Sequence, residues 1–249
     1  MVSRQIGDRA VVLGASMAGL LAAQVLSDRY GQVTVIDRDE LPETPMHRRG
    51  FPHGRHLHAL AARGQQALEE LLPGLTAELV ACGAPAGDLL GDARFYLSGH
   101  RLRQARTGLV LLCASRPLLE GHVRARVRAL PNVRLLDRCD VVGLTTTPDR
   151  RRVTGARVLR RADGSAEELL GDDLVIDASG RGSRAGAWLD ELGYPHRNVI
   201  RCTSGWAIRP GPTGYRPMPS RAIWQPSTPQ LRSVREPGLS SGSKATGGC

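Results

Sequence analysis

The chain has 249 residues, 41% of them hydrophobic, and a formal net charge of +10. That length holds one large core or two modest ones, and with no apolar run of about 18 residues a membrane-spanning helix is not expected. The basic excess is almost all arginine, lies dispersed among acids and comes with only 4% aromatics, which argues against a nucleic-acid partner.

The five cysteines (Cys82, Cys113, Cys139, Cys202, Cys249) are scattered and form no Cys-x-x-Cys pair. Neither a metal centre nor a disulfide framework is expected, and they read as small buried residues with one exposed terminal thiol. His56 and His58 stand two apart, on different faces of a helix, which suits loop and core histidines better than metal ligands. The N-terminus runs straight into a strand-like segment without a signal-peptide pattern, so a soluble cytoplasmic protein is expected.

In chain order, residues 9–14 read as a buried strand, 17–28 as an Ala- and Leu-rich helix and 33–37 as a second strand. That is the opening β-α-β of a dinucleotide-binding α/β fold. Residues 38–56 are too rich in Pro, Arg and His for a core element, and a helix over 57–72 ends at Pro73-Gly74. Strands are expected at 93–97 and 109–113 around a turn at Ser98-Gly99, then a helix over 117–130 with Ser115 as N-cap. Strands follow at 133–136, 141–146, 153–159 and 174–178, and a helix at 185–192. Beyond about Ile208 the chain turns rich in Pro, Gly and Ser, with neither helical nor strand periodicity.

The segment "VVLGASMAGLL" misses the Gly-x-Ser-x-Gly spacing of a nucleophile elbow, because Ala18 stands two after Ser16 and the glycine falls one later. It fits a phosphate cradle instead. Gly14 makes the tight turn, Ser16 stands where a second glycine is usual, and Gly19 is the small residue where helix meets strand. The helix from Met17 aims its N–H groups at an anion. Asp37, 23 residues after Gly14, ends the second strand where an acid accepts from ribose hydroxyls. These residues leave NAD and FAD both open.

Four separated segments, "VVLGASMAGLLAAQVL…VTVIDRDELP", "RRGFPHGRHLHALAARG", "SRPLLEGHVRARV" and "LVIDASGRGSRAGAWL", resemble actinobacterial FAD-dependent monooxygenases. The likeness is nearest to the flavin epoxidases of polyether biosynthesis, relatives of aromatic hydroxylases and squalene epoxidase. It implies a Rossmann-like FAD-binding domain of the glutathione-reductase-like two-part fold. The FAD-binding domain would take 8–87 and 114–200, with 88–113 a strand insertion on the substrate side. Residues 201–249 would be the remnant of a substrate domain with a disordered tail.

The resemblance implies that Gly14, Ala15, Ser16, Met17, Ala18 and Gly19 hold the pyrophosphate, and that Asp37 with Arg38 meets the adenosine ribose. Arg48 and Gly50 would approach the flavin side, with Arg49 beside them. Arg116 would meet the phosphate or ribityl region, Val141 the adenine, and Asp177 with Gly180 the segment touching cofactor and reductant. Each has a plainer reading: Arg48 and Arg49 as solvated loop charges, Arg116 as a first-turn helix residue, Asp177 as a cap for the glycine turn.

The implied reaction is epoxidation or hydroxylation of a small organic substrate through a flavin hydroperoxide, in secondary metabolism. NADPH or a separate flavin reductase would supply the electrons. No catalytic residue and no metal ligand are assigned. A halogenase is not expected, since Lys244 is the sole lysine and "GWAIRP" carries one tryptophan. The change near Arg209 reads as a truncation or frameshift, so a cofactor-binding remnant without turnover is one alternative. An NAD-dependent dehydrogenase is another.

Overall fold

Val11, Val12 and Leu13 are fully enclosed apolar residues, and they make the first strand, β1 (Gly7–Leu13), the centre of a parallel sheet. The computed structural model describes residues 5–48, 58–98, 100–161 and 166–194. Gly50, Arg49, His56, Gly99, Cys202, Cys249 and everything expected of the segment after Ile208 lie outside the described residues. After β1 come helix α1 (Met17–Ser27) and strand β2 (Tyr30–Ile36). β2 lies parallel to β1 in the register Val11 to Thr34 and Leu13 to Ile36.

The described residues fall into two compact units, the first drawn from 5–48 and 117–194 and the second from 58–116. In the second, β3 (Ala59–Leu60), helices α2 (Ala62–Leu71) and α3 (Leu75–Ala81), and β4 (Ala86–Asp88) come first. The two-residue strands β5 (Tyr96–Leu97) and β6 (His100–Arg101) and then β7 (Val110–Cys113) complete it. β7 pairs antiparallel with β3 and with β4.

Here the sequence expectations need correction. The expected helix over 57–72 is shorter, because Ala59 and Leu60 pair with Cys113 and Leu112. The strand expected at 93–97 shrinks to Tyr96–Leu97. α3 and β4 went unforeseen because each is only a few residues long, too short to show a period. Cys113 is buried as expected but is disulfide-bonded; Cys139 is buried as expected, whereas Cys82, expected to be buried, is exposed.

Asp88 organises this unit's long loop. Its carboxylate accepts from the backbone N–H of Leu90, Gly91, Thr107 and Gly108 and from the Thr107 hydroxyl, at 2.7 to 3.1 Å. Burial by itself would raise its pKa, but these hydrogen bonds outweigh burial and hold it well below the ordinary carboxylate range.

The first unit resumes with α4 (Arg116–Arg128), β8 (Val133–Leu136), β9 (Cys139–Thr146), β10 (Val153–Arg160), β11 (Glu167–Gly171), β12 (Leu174–Asp177) and α5 (Ala185–Glu191). The strand order β12-β1-β2-β8 forms a parallel sheet, and β9, β10 and β11 form an antiparallel one. β11 was not foreseen, since its alternation of exposed and half-buried residues spans only Glu167–Gly171. Val11, Leu13, Ile36, Leu136, Ala156, Val158 and Trp188 share one core, so the antiparallel sheet and α5 pack against the C-terminal halves of β1 and β2. Among the described residues, no helix is long and apolar enough to cross a membrane.

Candidate nucleotide site

β1 ends in the turn that the sequence suggested. Gly14 adopts φ +102°, and a Cβ there would come within 2.7 Å of the Ala178 carbonyl oxygen. At Gly19 a Cβ would lie 1.7 Å from the Gly14 oxygen, so only glycine lets α1 pack against the end of β1. Ser16 is the N-cap of α1 in extended conformation, but its side chain makes no capping bond. Met17 and Ala18 are the first helical residues, half-buried and exposed, and the first turn carries no acid. The free N–H groups of that turn therefore suit an anion.

Asp37 follows β2 directly. Its Oδ2 accepts from the Ala15 N–H at 2.7 Å, and its Oδ1 from the Asp39 N–H at 2.9 Å. The carboxylate thus spans from the end of β2 to the cradle loop. Arg48 is nearly enclosed, its side chain 5% exposed, and it stands 3.5 Å from Asp37 Oδ2 and 2.6 Å from Glu120 Oε1. A solvated loop charge it is not.

Around these residues lies a pocket of about 350 Å³. Gly14, Ser16, Asp37, Arg38 and Arg48 are among the residues that line it. The start of β9 (Cys139, Asp140, Val141, Val142), Ala178, Ser179 and Gly182 after β12, and Arg184 and Trp188 of the α5 region line it too. It opens at the C-terminal ends of parallel strands, where ligands bind in open α/β sheets. Its size suits a nucleoside-sized group.

The residues expected to touch a cofactor are therefore only partly brought together. Gly14, Ser16, Asp37, Arg38, Arg48 and Val141 line one pocket. Ala15, Met17, Ala18 and Gly19 build the loop and helix start without lining it. Arg116 opens α4 and is half-buried, outside the pocket lining. Asp177 takes the capping role: it accepts from the Ser179 N–H at 2.9 Å, from the Ser179 hydroxyl and from the Ser183 hydroxyl at 2.5 Å. Burial would raise its pKa, but these donors lower it on balance. Gly180 starts a 3-10 turn at φ +65°.

Three groups were not assigned to the site from the sequence. Trp188 is 5% exposed, lines the pocket and has an Nε1 without a hydrogen-bond partner. The Arg184 guanidinium lies 6.0 Å from its ring centroid. Cys139 is a buried thiol on the pocket wall, and burial pushes its pKa up. Glu120 and Arg124 are buried on α4, an i,i+4 ion pair set among Leu119, Val123 and Val127. A charge pair sharing a helix face with three apolar residues was the available signal. Among the described residues, no group of three or more His, Cys, Asp or Glu is placed to hold a metal.

No family model matches the chain. Protein Rv3254 of Mycobacterium tuberculosis is 46% identical over 201 residues, spanning 75% of this chain and 41% of that protein. A kynurenine 3-monooxygenase of Salinispora arenicola is 31% identical over 179 residues, spanning 70% of this chain and 36% of that protein. The chain thus spans about four-tenths of the length of the curated relatives it matches.

Among solved structures, PqsL of Pseudomonas aeruginosa, described as a probable FAD-dependent monooxygenase, superposes with TM-score 0.59 and 17% identity. That match covers 80% of this chain and 48% of PqsL. The myxobacterial halogenase CndH, described as FAD-dependent, gives TM-score 0.53 and 20% identity over 72% of this chain and 38% of its own. The described residues share the mixed α/β fold, with its parallel sheet, of these proteins.

Proposed function

We propose that this chain carries the FAD-binding part of a flavin-dependent monooxygenase acting on a small organic substrate. The observation that carries the reading is the Gly14–Gly19 cradle tied to Asp37 beside one pocket: a turn at φ +102°, a helix glycine whose Cβ would stand 1.7 Å from the Gly14 oxygen, and an acid just after the adjacent strand that accepts from the Ala15 N–H. These are the parts a dinucleotide needs, and a side chain at Gly14 or Gly19 would clash with the Ala178 or Gly14 carbonyl and displace the loop. The likeness in fold to PqsL and CndH, both described as FAD-dependent, supports a flavin over a nicotinamide.

With FAD bound, the isoalloxazine would supply oxygen activation. The chain's own residues bind and orient. The N-terminal N–H groups of α1 would meet the diphosphate, Asp37 would accept from the ribose, and Arg38, Val141 and Trp188 would enclose the adenosine end. Epoxidation or hydroxylation, a role in secondary metabolism, and NADPH or a separate flavin reductase as electron source remain part of the same proposal.

The test is direct. Apoprotein incubated with FAD and desalted should retain flavin absorption bands, and calorimetric titration should show FAD binding more tightly than NAD. Loss of all flavin on desalting, together with measurable NAD affinity, refutes the reading in favour of a dehydrogenase.

A further inference from the structure

Helix α4 buries Glu120 at 4% exposure and Arg124 at 2%. A buried carboxylate is costly unless it neutralises a cation and accepts hydrogen bonds, so its partners reveal its task. Glu120 Oε1 accepts from Arg48 Nη2 at 2.6 Å and from Arg124 Nη1 at 3.3 Å. Its Oε2 accepts a longer bond, 3.4 Å, from the Ser16 hydroxyl. Arg48 Nη2 also donates to the Ala15 carbonyl at 3.3 Å, and Ala15 donates its N–H to Asp37. Ser16, Asp37 and Arg48 line the pocket, whereas Glu120 stands behind them.

The same helix seats the segment leading from β2 to Arg48. Arg124 Nε donates to the Pro42 carbonyl at 3.0 Å and Arg128 Nη2 to that of Leu41 at 3.3 Å. Pro45 packs so closely on Gly121 that a Cβ there would meet Pro45 Cγ at 2.9 Å. The backbone strap and its terminal guanidinium are therefore both aligned by one face of α4.

We propose that Glu120 is the positioning residue of the cradle: through Arg48 and Ser16 it holds the Gly14–Gly19 loop and Asp37 ready for a diphosphate-bearing cofactor. The inference rests on the FAD reading above. It assigns serine at the second-glycine position a task, tying the loop to α4. Direct contact of Glu120 with the diphosphate is ruled out on charge, since two anions repel, and on burial.

The experiment titrates FAD into full-length apoprotein, following flavin fluorescence, for wild type, E120Q, S16A, S16A/E120Q and E120L/R124L, with urea midpoints recorded alongside. E120Q should raise the FAD dissociation constant about tenfold or more, the consequence of losing a charge-assisted hydrogen bond. S16A should raise it less, and the double variant should fall short of the product of the singles, because both act through one contact.

E120L/R124L removes Glu120 and Arg124 together and leaves Arg48 paired with Asp37 at 3.5 Å, so its urea midpoint should fall no further than that of E120Q while the affinity stays low. Should E120Q fail to fold, this variant carries the test. FAD affinity recovered together with stability, or an E120Q affinity within twofold of wild type, overturns the proposal. Wild-type protein that binds no FAD overturns the functional reading itself.

Discussion

Gly19→Ala places one methyl where the structure leaves no room. The new Cβ would lie 1.7 Å from the Gly14 oxygen and 2.9 Å from its carbonyl carbon, where optimal carbon contacts are about 3.5–4.0 Å. Both atoms are backbone, so no side chain can swing aside, and α1 must lift from the end of β1. Overpacking of this kind costs about 1–3 kcal/mol and sometimes more, while alanine returns up to about 1 kcal/mol of helix propensity. A net destabilisation of about 2 kcal/mol is expected.

Gly186→Ala makes the identical chemical change in α5, where nothing lies within 4 Å of the new methyl. It should stabilise by about 0.5 kcal/mol, from backbone entropy alone. Urea unfolding measures both, read as a shift of midpoint at constant slope. Because the strain falls on Gly14, Gly19→Ala should also lose FAD affinity, and Gly186→Ala should keep it. Equal stabilities for the two variants would refute the packing argument.

Asp37→Ala should weaken FAD binding about ten- to a hundredfold in the same titration, since a charged acceptor toward the ribose and the Ala15 N–H is lost together. Asp88 is held below the ordinary carboxylate range in the folded protein, so its contribution is complete above the unfolded value near 4 and is lost as pH falls through the lower folded value. The stability gap between wild type and Asp88→Asn should therefore be full at neutral pH and close in strong acid; a gap that widens on acidification contradicts the assignment. Native alkylation followed by peptide mass spectrometry should modify exposed Cys82 well before Cys139, which is buried and whose pKa is raised. Faster labelling of Cys139 would mean the pocket wall opens.

The sequence by itself determined the local parts whose chemistry is carried by neighbours along the chain. The buried run Val11–Leu13, the turn at Gly14, the helix from Met17 and the acid at Asp37 are all encoded within a few turns or strands of one another, and each stands where periodicity and turn chemistry predicted. Asp177 likewise caps a turn only two residues on. Short elements such as α3 and β11 were illegible because their few residues do not outlast the noise of a period. Only the tertiary structure decided the fate of charges.

Arg48 reads as a loop cation until α4, some 70 residues later, brings Glu120 to 2.6 Å and removes it from water. Ser16 reads as a substituted glycine until that same carboxylate meets its hydroxyl. Trp188 carries no site signal in the sequence, and only the fold sets it with Cys139 and Val141 on the pocket wall. Burial and pairing are properties of the assembled unit, because the energy of a charge depends on the dielectric and the partners that distant segments supply. That is why the cradle was legible from one end of the chain, and the residues that hold it in place were not.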